Sequence, residues 1–568
     1  VIMPAMDERA RTSWWRGLLL VAIILSVVGA LWICRQPLIE DEVEFAEIAR
    51  SYVSSGLPLA HVSGEIAEVL HHPQLYHFLL AVASIAGGPE WGGRLLGLSC
   101  LVASSLLAVV LARRLWHDAL VGDAAAIMVL LCPLCFRGGL LLDIDNTLLP
   151  VVCLGFLTVA LRSETSRKRS QIIFLMTLFA IALWTKLTTP VFLLIPLWIM
   201  WGKERWKDFL AATAGGVILF VISWATFCLA KGLHPLDPLW HLVGKGSSVF
   251  QSGTGNVVWE LVKRLVRIVL WLSPFLVGLL LVRQSEVRNK RILLALGSFV
   301  VINLSFYWIV GGDAFGFPRY QVPATTVLII LLAPAVLTGW DIIGNNLWVR
   351  GLLFLGSVVF FRVLAGDVLF QFYAYPEQAA VEIANVEDML DHLVRVALPV
   401  VVFAGLVMIL WWRRLGSVRL GIATICALIL LPWWVSQDLC IAGASYNTAY
   451  LYGEAGIKQA ATLLRTFVPD GAQIVASKDV AFHTGYHFPH RVLGAVCEHQ
   501  DLAAVLDDSH VQALVYRDGQ WIDAVTGPCL QSETVQRELR EAFYQFQTGS
   551  FHVWIERRNL GFREEPEP

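Results

Sequence analysis

Apolar runs of about 16 to 22 residues recur along this chain, separated by short loops that hold most of its charge. A run of that length, wound at about 1.5 Å per residue, matches a bilayer core of roughly 30 Å. In hydrocarbon every backbone N–H and C=O needs an internal partner, which leaves helices as the fold for such runs. Composition agrees: 57% of the 568 residues are hydrophobic and 15% charged, against roughly half apolar and a quarter charged in a soluble domain. The expected fold class is a polytopic α-helical membrane protein. The net charge is −2 and the basic residues are parcelled into short loops, so no nucleic-acid partner is expected. Most cysteines, Cys34, Cys100, Cys153, Cys228 and Cys426 among them, lie inside apolar runs and read as small hydrophobes rather than a disulfide framework. Cys132 and Cys135 have CxxC spacing, but they flank a proline within a membrane segment.

The first run, Trp14 to Cys34, follows Arg9, Arg11 and Arg16 and lacks a good cleavage site, so it reads as a retained helix with its N-terminus inside. Residues 35–92 form a first outer loop holding one short apolar piece, Leu75 to Ala86, too short to span. The positive-inside rule tests that choice. If the piece does not cross, Arg113-Arg114, RSETSRKR (162–169), KERWK (203–207), RQSEVRNKR (283–291) and the 413–419 loop all fall inside; if it crosses, the first two fall outside. The first option places about 13 transmembrane helices near 14–34, 94–112, 119–138, 146–162, 171–185, 187–202, 208–230, 264–282, 292–310, 321–338, 348–365, 393–412 and 418–436. The expected domains are thus 1–436, transmembrane, and 437–568, a C-terminal extracytoplasmic α/β domain. In the latter, IKQAATLLRTF and a segment near Glu533 to Phe546 read as helices, and QIVAS, VQALVYR and FHVWIER as strands.

This topology gathers the polar residues at membrane depth on the outer side. They are Glu40, Asp41 and Glu42 past the first helix, His71 and His72 before the short apolar piece, and Asp143 and Asp145 in LLLDIDNT. Lys186 in WTKLTTP, His234, His241 and Lys245 after the seventh helix, and Arg319-Tyr320 in FGFPRYQVP complete the set. Ionisable residues at that depth are costly and often mark a substrate site. Each also has a plainer reading: solvated loop acids, hydrated flanks, a snorkelling lysine, a helix-end arginine. Their convergence from separate segments onto one face favours function. Carboxylates, histidines and cations there suit an amphiphilic substrate, its phosphate held by Lys or Arg and its tail in lipid.

The order IEDEVEFAEIARSYVSSGLP, HHPQLYHFLLA, GGRLLGLSC, LLLDIDNTLLP, LWTKLTTPVFLLIP, PRYQVPA resembles the GT-C superfamily of integral membrane glycosyltransferases. It is most similar to bacterial relatives of the protein O-mannosyltransferases and of the lipid A aminoarabinose transferase. Their pattern has D-E in the first outer loop, H-P-P-L-Y, R-L, L-D and T-K-G-P; here Gln74 replaces the second proline, and Leu187-Thr188-Thr189 stand before Pro190. The resemblance covers residues 38–325 and implies hexosyl or pentosyl transfer from a polyprenyl-phosphate donor to a lipid, glycan or protein acceptor on the outer face of the plasma (inner) membrane. It makes Asp41 the catalytic base, with Glu42 shaping its field, and inversion at the anomeric carbon follows from a base acting on the acceptor. His72, Asp143, Asp145, His241 and Tyr320 are expected to bind substrate, with Lys186 and Arg319 on the leaving phosphate. Some members place a divalent cation between first- and second-loop carboxylates and others do not. Asp41, Asp143 and Asp145 would be such a set, and no cofactor is required. The alternatives are a transporter or flippase of a lipid-linked saccharide, and a non-catalytic subunit of the same fold. The first is disfavoured by polar residues at one interface rather than the midplane.

Overall fold

The computed structural model describes residues 8–33, 38, 41–62, 65–162, 169–201, 205–243, 261–262, 265, 287–310, 318–343, 346–364, 394, 401–406, 418–441, 456–476, 478–485, 490–491, 511–517, 533–549 and 551–560. Glu40, Lys245 and, for the most part, the expected spans 264–282 and 393–412 lie outside them. The chain divides into two compact units. The first comprises Val1–Ile33, Leu70–Ala83 and Gly92–Gly443; the second comprises Cys34–Val69, Ser84–Trp91 and Ala444–Pro568.

The helices up to residue 231 are α1 (Glu8–Ile33), α2 (Asp41–Ser54), α3 (Leu75–Ser84), α4 (Gly88–Leu115), α5 (Leu120–Leu131), α6 (Pro133–Leu140), α7 (Leu148–Arg162), α8 (Arg169–Thr185), α9 (Thr189–Trp201) and α10 (Trp206–Lys231). Then come α11 (Lys290–Val310), α12 (Val322–Ile342), α13 (Leu347–Leu364) and α14 (Val418–Ile441). Ten of the expected spans each fall on one of these helices, an eleventh falls on the broken pair α5 and α6, and the chain is a polytopic helical membrane protein. Among the described residues five helices are individually long and apolar enough to cross: α1, α4, α10, α11 and α12. The pair α5 and α6 passes that test jointly, with a bend of 60°. Where the sequence suggests one helix over 119–138, Pro133 breaks it. Its ring disfavours helical backbone at the preceding residue, and Cys132 is extended, with ψ 118°. The short piece before the second span is α3, ten residues long.

The first unit is centred on α12, whose apolar faces are almost wholly buried. Pro334 inside it has no N–H to give the carbonyl of Ile330, four residues earlier. The indole Nε1 of Trp116 donates to that oxygen at 3.0 Å, supplying from a neighbouring segment the bond the helix lacks. Gly339 lets α14 close in on α12, since a Cβ there would collide with the carbonyl oxygen of Ala423.

In the second unit α2 packs on an antiparallel hairpin, β1 (Leu59–Val62) and β2 (Glu65–Glu68), in register Leu59↔Glu68. Ile48, Ala60 and Val69 form its small core, with Tyr52 against it. The C-terminal residues build a five-stranded sheet of β3 (Gln473–Val475), β4 (His490–Arg491), β5 (Val511–Arg517), β6 (Phe543–Thr548) and β7 (Phe551–Glu556), in spatial order β4-β3-β5-β7-β6. β3 runs parallel to β4 and β5; β7 is antiparallel to β5 and β6. On α15 (Ile457–Phe467), Ile457, Ala460, Ala461 and Leu464 recur at helical spacing and are buried. Ile457, Ala460 and Leu464 share a core with Ile474, Ala513, Val515, Val553 and Ile555 of the sheet. Leu539 of α17 (Glu533–Ala542) joins Leu514 and Trp554 in another core. The helix expected to reach Phe546 stops at Ala542. FYQFQT alternates aromatic and polar residues and pairs as β6 with the neighbouring strand, so sheet pairing overrides helix there. Between β3 and β4 lies α16 (Lys478–Thr484).

Candidate active site

Lys186 is the centre of the first unit's polar cluster. Helix α8 ends at Thr185 and α9 begins at Thr189, and the turn between them is closed by the Thr189 amide and hydroxyl, which donate to the Lys186 carbonyl at 3.0 and 2.7 Å. The Leu-Thr-Thr insertion thus builds a defined turn where the family pattern has a single glycine. From it Lys186 Nζ reaches both carboxylate oxygens of Asp145, at 2.6 and 2.8 Å. Lys186 is only 8% exposed and Asp145 6%, so the pair is shielded from water. At that burial the desolvation cost of each ion is several kcal/mol, which only a close, well-bonded partner offsets.

Asp145 is itself held in place. Its backbone N–H donates to Asp143 Oδ1 at 2.6 Å, and the Thr147 hydroxyl donates to the Asp143 carbonyl. This is a carboxylate-capped turn. The predicted roles of Asp143 and Asp145 thus separate: Asp143 shapes the loop and Asp145 meets the cation. From α4, 46 residues away in sequence, buried Arg94 donates from Nη1 to the Leu140 carbonyl at 2.7 Å, satisfying the C-terminal end of α6.

Two tyrosines complete the cluster. The rings of Tyr307 on α11 and Tyr320 stack at 4.9 Å, and Lys186 Nζ lies 5.0 Å from the Tyr320 centroid and 5.7 Å from that of Tyr307. Their π faces stabilise the cation where water is excluded. Tyr320 belongs to the 3₁₀ turn Pro318–Gln321. The neighbouring Arg319 side chain lies outside the described residues. Tyr307 was not singled out from the sequence; inside the run NLSFYWIV it looks like one more apolar helix position.

A separate group joins histidines far apart in sequence. His71 and His241 stack at 4.1 Å with planes 21° apart, and His72 approaches His241 edge-on at 6.3 Å. Gln74, the departure from the family's second proline, donates from Nε2 to the His72 carbonyl at 2.7 Å and so fixes the turn before α3. The structure thus brings together His72 and His241, and adds His71. His234 instead pairs with Asp237 on its own segment at 3.2 Å.

In the second unit, Asp41 opens α2 and Glu42 follows in its first turn. Carboxylates suit that place, where unpaired N–H groups and the helix dipole favour negative charge. Glu42 is buried, 6% exposed; the Asp41 side chain lies outside the described residues. Among the described residues no three His, Cys, Asp or Glu side chains are arranged to hold a metal ion.

Comparison with known proteins fits this geometry. Residues 71–226, which include the histidine turn, both aspartates and Lys186, match the family model for dolichyl-phosphate-mannose-protein mannosyltransferase. The crystal structure of ArnT from Cupriavidus metallidurans bound to undecaprenyl phosphate is similar at a TM-score of 0.59 and 16% identity, over 96% of this chain and 98% of that one. Its apo state gives 0.58 over the same shares. No curated protein sequence matches. The fold is that of a GT-C-type membrane glycosyltransferase. The likeness to ArnT runs through nearly the whole of both chains.

Proposed function

We propose that this protein transfers a sugar from a polyprenyl-phosphate donor to an acceptor hydroxyl at the outer face of the membrane. The observation that carries this reading is the buried Lys186–Asp145 pair beneath Tyr307 and Tyr320, inside the segment matching a polyprenyl-type mannosyltransferase model. Support comes also from ArnT, a protein of the same fold whose structure holds undecaprenyl phosphate.

In the reaction, the acceptor oxygen attacks the anomeric carbon while Asp41 takes its proton. The bond from that carbon to the phosphate oxygen breaks, and polyprenyl phosphate leaves with the electron pair. Base catalysis of this kind contributes about 10²- to 10⁴-fold. The departing phosphate gains negative charge, and Lys186 and Arg319 offset it. Preorganised groups of this type are worth roughly 3–4 kcal/mol. Attack from the face opposite the leaving group inverts the anomeric centre. Glu42, buried beside Asp41, keeps the local field negative; His72 and His241 contact the sugar. The second unit and the acceptor lie on the extracytoplasmic side, and the N-terminus is cytoplasmic.

Native mass spectrometry of the purified protein with undecaprenyl phosphate tests the donor class. A retained adduct on the wild type, depleted in Lys186→Met, is expected. A wild type that retains no such lipid, or a variant that binds it equally well, contradicts the reading.

A further inference from the structure

The stretch that leads into α2 is fastened by the C-terminal sheet domain. Leu38, three residues before α2, is fully buried, and its carbonyl oxygen lies 2.9 Å from Nε2 of His483. A carbonyl only accepts, so at this contact His483 carries its proton on Nε2 and donates. His483 sits near the end of α16, which packs against α2. Its neighbour Phe482, 2% exposed, lies under Arg50 of α2, whose guanidinium carbon stands 4.1 Å from the ring centroid. Arg50 Nη2 in turn is 3.7 Å from Glu90 Oε1. Two consecutive residues of α16 therefore grip α2, one at its approach and one in its third turn.

We propose that His483 is a positioning residue for the acidic first turn of α2. It holds the backbone at Leu38, at most about 11 Å of chain from Asp41, and so sets the direction from which Asp41 and Glu42 emerge. A catalytic group must be held within about 0.5 Å of its productive place, and a 1 Å displacement costs up to roughly 100-fold in rate. The consequence for catalysis rests on the reading of Asp41 as base; the fastening does not.

The test uses the full chain in nanodiscs, with wild type, His483→Leu, His483→Gln and Asp41→Asn. Leucine removes the donor, whereas the glutamine amide can place an N–H where Nε2 was. Hydrogen exchange of peptides covering residues 38–50 reads the fastening without any turnover. Sugar transfer reads its consequence. The expected result for His483→Leu is faster exchange over 38–50, unchanged exchange in the membrane helices, and kcat down roughly 10- to 100-fold with donor KM within about twofold. Glutamine restores most of both. Unchanged exchange in His483→Leu overturns the fastening, and faster exchange with normal kcat overturns the positioning role. Normal turnover by Asp41→Asn overturns the base assignment, and with it the catalytic consequence, while the exchange data still decide the fastening.

Discussion

Lys186 keeps its charge in a dry setting because two carboxylate oxygens and two aromatic faces surround its ammonium. Removing one partner leaves the other ion buried alone, at about 3–5 kcal/mol, whereas replacing both with apolar residues is far milder. Asp145→Leu should therefore lower the thermal unfolding midpoint more than Asp145→Leu combined with Lys186→Met; an additive pair would contradict the coupling. His483 makes a pH prediction. Burial lowers its affinity for protons, and Arg50 and Lys458 act in the same sense, while Glu90 and the Leu38 carbonyl oppose them. The unfolded chain thus takes up the proton first. Stability is complete above about pH 6.5, falls as pH drops through the unfolded value toward the lower folded one, and then levels off with respect to this group. Unfolding midpoints of wild type and His483→Gln should nearly agree near neutral pH, and wild type should fall relative to the non-titrating variant on acidification. At this scale the sequence revealed Lys186, Asp143 and Asp145 as polar residues out of place among apolar ones. It did not reveal the pairing or Tyr307, because a tyrosine in an apolar run carries no sign of what its ring faces.

Helix positions were legible because apolar length is itself the physical requirement for spanning. Helix interruptions were less so. The apolar pattern around Pro133 permits one long helix, and only the extended backbone at Cys132 shows the break. Pro334, by contrast, stays inside α12, since Trp116 accommodates its freed carbonyl. Trp116→Phe keeps an aromatic ring but deletes the N–H and the fused pyrrole; leaving the Ile330 oxygen bare should cost about 1–3 kcal/mol, with the lost packing adding to it, measured by chemical or thermal unfolding in detergent. Gly339→Leu should be more disruptive, because the obstacle is backbone of α14 rather than a side chain that can turn away. Loss of folded protein in fluorescence-detected size exclusion would report it. β6 was read as helix because strand pairing with β7 is a partner effect that helical periodicity in one segment does not encode.

For the whole molecule, hydropathy and loop charge sufficed for a polytopic membrane protein, and short motifs for the GT-C-type fold that the ArnT likeness spans. What they left hidden is that residues 34–69 belong to one compact unit with the C-terminal residues. The bond from His483 to Leu38 joins positions 445 apart, and no local pattern announces a contact at such separation. The proposed reaction turns on one chemical step, the removal of the acceptor's proton by Asp41 in transfer from a polyprenyl-phosphate sugar. Its most direct measurement is release of polyprenyl phosphate in proteoliposomes supplied with a panel of such donors and acceptors, comparing wild type with Asp41→Asn. Wild type should release one polyprenyl phosphate per sugar transferred, and the variant should be slower by about 10²- to 10⁴-fold. Equal release by the two proteins would contradict it.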